Sequence, residues 1–231
     1  MRHHAHTVAT DEVVIIGAGG FGREVLDVLH AINAQTPTFD IRGFVVEPGF
    51  QTPGERIHGV PVLGHFDWLE RNAGRVRALC GVGAPAVRRR LVQSAASLGV
   101  GFATAVHPRA TMSRWVRLGA GTIVTAGAIL TNDIEVGEHV HLNLACTVGH
   151  DVVIEDLVTV SPGVHVSGNV RLGEGSFLGT GANLIEGTRV GAWSVVGAGA
   201  TVIEDVPTNA TVVGVPAHTS RVRDPGWHLL P

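Results

Sequence analysis

The chain has 231 residues and a net charge of −3, long enough for one large domain or two modest ones with a core each. Its 17 basic residues form no long run, which argues against nucleic acid as a partner, and neither a secretory leader nor 18 uninterrupted apolar residues points to a membrane. Two cysteines, Cys80 and Cys146, lie far apart and outside any CxxC spacing, so no disulfide framework or zinc knuckle is expected and a reduced, cytoplasmic compartment fits.

Residues 1–12 are polar and read as a disordered tail. The tract His3, His4 and His6 is given no metal-binding role, because one short segment supplies no enclosing shell.

Residues 13–103 read as a small Rossmann-like α/β domain. Val13 to Ile16 is a short apolar strand; Gly17-Ala18-Gly19-Gly20-Phe21-Gly22 follows, and Val25, Leu26, Leu29 and Ile32 then recur at helical spacing. A strand, a glycine turn and a helix of this kind let backbone amides and a helix N-terminus approach a phosphate. The same glycines also serve tight helix–strand packing. Apolar segments at 41–46 and 76–80 and a helical stretch at 85–98 complete the unit. Glu47 falls near the place of a ribose-binding acid, yet the domain is too short for a full dinucleotide fold. A mononucleotide or nucleotide-sugar ligand is therefore favoured over NAD.

Residues 104–205 follow another rule. Cut into sixes from Val116, the chain puts an aliphatic residue third in every unit from Leu118 to Val202, and Val106 and Met112 extend the phase upstream. Glycine is abundant, at 31 residues, and aromatics make up only 5%, as suits small turn-forming units. A period of six fits a short strand and a corner, with one inward side chain per side of a prism. Three sides make a coil of 18 residues, so residues 18 apart stack at about the 4.8 Å strand spacing. Residues 206–231 read as a C-terminal extension. Stacking sets the amide of Gly168 one coil from His150, which with Asp151 ends the unit CTVGHD away from the inward third position.

The start GAGGFGREV, the segment GVPVLG at 59–64, the six-residue repeats and the closing VVGVPA at 212–217 together resemble the NeuD/PglD-like bacterial sugar acyltransferases. The resemblance covers 13–217 and implies a left-handed parallel β-helix, a homotrimer with sites between adjacent solenoids, acetyl-CoA as co-substrate without a metal, and a nucleotide-linked amino sugar bound mainly by the N-terminal domain. It makes His150 the general base and Asp151 the carboxylate that orients it and stabilises the imidazolium, which favours proton capture near neutral pH. Gly168 then binds the thioester carbonyl, and Asn143 orients substrate or, equally, caps a corner turn.

On the same resemblance, Gly17, Gly19 and Gly20 lie near the nucleotide phosphates and Glu47 near the nucleoside. The family often pairs two acids after the second strand, whereas this chain has Val45-Val46-Glu47. Gly83 and Arg88 close over the ligand, unless Arg88 is only a solvated helix residue. Acetyl-CoA contacts fall to Gly168, Thr180 and Ala198. The family often carries a second histidine where this chain has Thr159, and His141, 18 residues earlier, stands in for it. Cys146 has no activating partner and reads as a small wall residue, so the amine attacks directly without an acyl-enzyme.

The expected function is N-acetylation of a nucleotide-linked amino sugar. The alternatives are O-acetylation of a hydroxyl, a non-catalytic nucleotide-binding role, and a γ-class carbonic anhydrase, whose HxxxxH spacing His139, His141, His150 and His165 do not provide.

Overall fold

A computed structural model describes residues 10–229, so the histidine tract lies outside the described residues. In the N-terminal domain β1 (Asp11–Ile16) leads through α1 (Gly20–Gln35) to β2 (Phe39–Val45). Then come the hairpin β3 (Arg56–Ile57) and β4 (Val60–Gly64), α2 (Phe66–Asn72), β5 (Arg77–Cys80), α3 (Pro85–Ser97) and β6 (Gly101–Phe102). The boundary at residue 13 is corrected: Asp11 and Glu12, assigned to the tail, already pair with Phe39 and Asp40 in the sheet.

The sheet order is β3-β4-β2-β1-β5-β6, parallel except for the β3–β4 pair. The chain runs from β1 to β2 on one side and later returns to β5 on the other, so β1 marks the topological switch point, where open α/β sheets leave a crevice beyond their carboxyl ends. One face of α1 buries Val25, Leu26, Val28 and Leu29 against this sheet. Close seating requires Gly22, since a Cβ there would lie 2.1 Å from the Gly17 carbonyl oxygen.

The solenoid is a three-sided prism of two-residue strands, each paired in parallel with the strand 18 residues on, as in His141↔Thr159 and Thr147↔His165. The first face carries the strands beginning at Ala105, Ile123, His141, Thr159, Phe177 and Val195. The second carries those from Thr111, Ile129, Thr147, His165, Asn183 and Thr201. The third carries those from Arg117, Glu135, Val153, Arg171 and Arg189.

The expectation of one inward side chain per side is corrected to two. Ile134, Val140, Cys146, Val152, Val158, Val164 and Val170, first in their units, are buried in the same core as the third-position residues. First and third positions lie two residues apart, and side chains two apart on an extended segment share a face. At the sixth position the chain takes positive φ in every unit from Gly121 to Gly199, at Asp133, His139, Ala145, Asp151, Leu157, Asn169 and Trp193 as well as at glycines. The left-handed corner is thus imposed by the coil.

The boundary at 205 is corrected too. Ala210–Val213 adds a further parallel strand to the first face, with Val195 opposite Thr211, and His218–Val222 folds back antiparallel on it. The spacing there is 16 residues, so the six-residue register ends while the sheet continues. The N-terminal domain rests on the first face, where Ala105 and Ile123 share a core with Val25 and Leu29, and Phe21 lies 4.6 Å from the His141 ring.

Candidate active site

The switch point opens into a cavity of about 300 Å³. Gly17, Gly19 and Gly20 border it after β1, Glu47 after β2 and Gly83 after β5, and no solenoid residue lines it. Five residues singled out in sequence as ligand contacts therefore meet in one place. Glu47 is held by a residue the sequence reading missed. Arg90 grips both carboxylate oxygens, with Nη2 2.9 Å from Oε2. The hydrogen bond from Arg90 lowers the Glu47 pKa and keeps the carboxylate ionised. Only the triplet Arg88-Arg89-Arg90 hinted at this, and sequence does not tell which of the three would turn toward β2.

His150 and Asp151 occupy the corner between the second and third faces. Asp151, at φ 58°, puts Oδ2 2.8 Å from His150 Nδ1. With Nδ1–H donating to the carboxylate, Nε2 carries the free lone pair, as a proton acceptor requires. About half of each side chain is exposed. Gly168 lies beneath the ring in the next coil: a Cβ built on it would meet Cε1 at 2.6 Å and Nε2 at 2.7 Å. Its amide makes no hydrogen bond among the described residues, whereas the next amide, of Asn169, donates to the His150 carbonyl at 2.8 Å. An imidazole, the carboxylate bonded to it and an unused N–H thus share one corner.

Other expected contacts need correction. Arg88 neither closes over the cavity nor meets solvent; it is fully buried where α3 meets the first face. His141 and Thr159 are also buried, with 0% and 3% exposure, so within the chain neither side chain is open to acetyl-CoA. Their polar atoms turn to Arg88: His141 Nδ1 accepts from Nη1 at 3.0 Å and Thr159 Oγ1 from Nη2 at 2.9 Å. Burial, reinforced by the Arg88 charge, lowers the His141 pKa well below its usual value, so the ring is neutral.

Asn143 donates through Nδ2 to the Val160 carbonyl at 2.8 Å, within the solenoid. Thr180 and Ala198 are exposed and stack in successive coils, but at the corner between the first and second faces, away from His150. Cys146 is fully buried, and desolvation pushes its thiol up to about 12. Among the described residues no three His, Cys, Asp or Glu side chains cluster to hold a metal ion, and no helix is long and apolar enough to cross a membrane.

A family profile, the PglD N-terminal domain, matches residues 12–95. The fold is similar to a mutant perosamine N-acetyltransferase from Caulobacter crescentus in complex with CoA and GDP-perosamine. That match is 33% identical, covers 92% of this chain and 98% of the other, and has a TM-score of 0.84. The acetyltransferase domain of PglB from Neisseria gonorrhoeae, in complex with acetyl coenzyme A, is 34% identical over 91% of this chain and 100% of its own, with a TM-score of 0.83. Among curated proteins, GDP-perosamine N-acetyltransferase of Escherichia coli O157:H7 is 28% identical over 149 residues, which is 64% of this chain and 66% of that protein. The two structural matches, at 33% and 34% identity over 92% and 91% of this chain, span both the small α/β domain and the solenoid, and the chain belongs to the NeuD/PglD-like family of sugar acyltransferases, built on a left-handed parallel β-helix.

Proposed function

We propose that the chain transfers an acetyl group from acetyl-CoA to the amino group of a nucleotide-linked amino sugar. The observation that carries this reading is the corner at which His150, oriented by Asp151, overlies Gly168. The neutral imidazole takes a proton from the amine through Nε2 as nitrogen attacks the thioester carbonyl. Asp151 then faces the imidazolium so formed. The Gly168 amide donates to the carbonyl oxygen as it gains charge, and collapse of the intermediate expels the CoA thiolate, which takes the proton from Nε2 and returns the imidazole to its starting state. The buried, protonated Cys146 plays no part, so attack is direct.

The cavity after β1, β2 and β5 holds the nucleotide, with diphosphate against the glycine turn and nucleoside near Glu47. The first face carries the N-terminal domain, and the corner bearing His150 is the one edge of the prism that does not border this face. This separation supports a homotrimer in which the cavity of one copy serves the base of a neighbour, and in which Thr180 and Ala198 of one copy join His150 of another around acetyl-CoA. Two buried free thiols accord with a cytoplasmic setting.

The relatives named for GDP-perosamine make that compound the first acceptor to test. Thiol release from acetyl-CoA is measured with GDP-perosamine, UDP- and dTDP-linked amino sugars, and their hydroxyl counterparts. Release with an amino sugar and not its hydroxyl analogue is expected. Release only with the hydroxyl compounds would make the enzyme an O-acetyltransferase, and release with none would remove the catalytic reading.

A further inference from the structure

Arg88 is an unusual residue to bury. Among the described residues its guanidinium has no carboxylate partner; instead it bridges main-chain carbonyls of both domains. Nη1 donates to Val82 and Gly83 at 3.0 Å each in the N-terminal domain, and Nη2 to Leu157 at 2.6 Å and Val158 at 3.2 Å in the solenoid. Thr159 Oγ1 accepts from Nη2 and donates to the Gly83 carbonyl at 2.9 Å, which closes the ring of bonds. The charge is offset by neutral acceptors, four carbonyls with the Thr159 hydroxyl and His141 Nδ1, and desolvation lowers the Arg88 pKa to about 10, still far above neutrality. A buried cation kept on such terms invites a reason beyond packing, since apolar residues of like volume often hold an interface as well.

The reason lies next to it. Val82 and Gly83 form the wall of the nucleotide cavity after β5, and Phe21, which packs on the Arg88-bonded His141, lines the opposite end of the glycine turn. We infer that Arg88 is a positioning residue: by tying segment 82–83 to solenoid residues 141 and 157–159, it fixes the shape of the nucleotide cavity and its placement on the solenoid, without touching a ligand. The planar fork of arginine reaches several acceptors at once, which a lysine ammonium on one stem cannot. The inference rests on the reading of that cavity as a nucleotide site.

The test uses Arg88→Lys and, in case that chain fails to fold, Thr159→Val, which keeps the guanidinium and its carbonyl bonds and removes only the two bonds of the hydroxyl, from Arg88 Nη2 and to the Gly83 carbonyl. Affinity for GDP, or for UDP or dTDP where GDP does not bind, is measured by calorimetry, and KM for nucleotide sugar and for acetyl-CoA are measured separately. Loss of charged buried hydrogen bonds predicts about tenfold weaker nucleotide binding in Arg88→Lys and about threefold in Thr159→Val. The nucleotide-sugar KM should rise in parallel, while kcat at saturation and KM for acetyl-CoA stay within about twofold. A lower melting temperature with nucleotide affinity and KM unchanged in the folded variants would reduce Arg88 to a packing element and overturn the inference. Wild-type chain that binds nucleotide but transfers no acetyl group would sink the transferase reading alone, because the calorimetric comparison still decides the role of Arg88. Wild-type chain that binds none of the three nucleotides overturns both the cavity reading and the inference.

Discussion

His150 covers Gly168 so closely that the two positions are interdependent: any side chain at 168 would occupy the space of the imidazole. Gly168 does not have a positive φ, so what demands glycine there is the ring above it. Gly168→Ala should therefore fold with little change in melting temperature yet displace His150 and lower kcat by tenfold or more, on the order of what a misplaced catalytic group costs. Unchanged kcat would mean that the ring sits elsewhere during turnover.

Removing the proposed base itself should be more severe. His150→Ala is expected to lower kcat by about 100-fold or more, the usual range for a general base, with nucleotide affinity and melting temperature unchanged because the side chain is half exposed. Asp151→Asn keeps the shape but faces the imidazolium with a neutral amide. A fall of roughly tenfold, measured by thiol release, is expected. Full activity in either variant would remove His150 and Asp151 from the mechanism.

Cys146 separates direct attack from a covalent route. Its thiol is buried and held protonated, so Cys146→Ala should keep kcat within about twofold and lose roughly 1 kcal/mol of stability from the small cavity left in the solenoid core. A chain inactivated by this change while still folded would point to an acyl-enzyme.

His139 gives the fold an acid-sensitive point. It sits 4.4 Å from Phe102 with Nδ1 unpartnered, and desolvation, aided by the Arg88 charge, lowers its pKa from 6.5 to about 4. Between those values the unfolded chain binds a proton that the folded one refuses, so stability is full above about pH 6.5 and falls as pH drops toward 4. The loss at pH 5 is roughly 2 kcal/mol by linkage. Buried neutral His141 acts in the same direction. Melting temperature should therefore fall between pH 7 and pH 5 and fall less steeply in His139→Asn, since asparagine tolerates the positive φ of 55° found there. An identical slope in the variant would show that the histidine is not buried in solution.

The six-residue repeat was legible because it is local: each unit carries its own strand, corner and inward aliphatic residue, and 18-residue stacking follows from three such sides. That alone placed Gly168 beside His150. The glycine turn after β1 was legible for a similar reason, since Gly22 is needed wherever a helix is seated so near the strand before it. Family resemblance, and not spacing, supplied the chemical roles. What sequence did not reveal was how the two domains meet. Arg88, His141 and Thr159 are polar residues at positions that face outward from an isolated helix or solenoid, and so they read as ligand contacts. Docking α3 on the first face buried all three, because burial depends on which surfaces come together across 53 to 71 residues of chain. Arg90, on the same helix, instead reaches Glu47 within the N-terminal domain, 43 residues away in the chain. Local periodicity determined the scaffold and the corner where His150 meets Gly168; tertiary contact decided which polar residues border the cavity and which hold the domains in place.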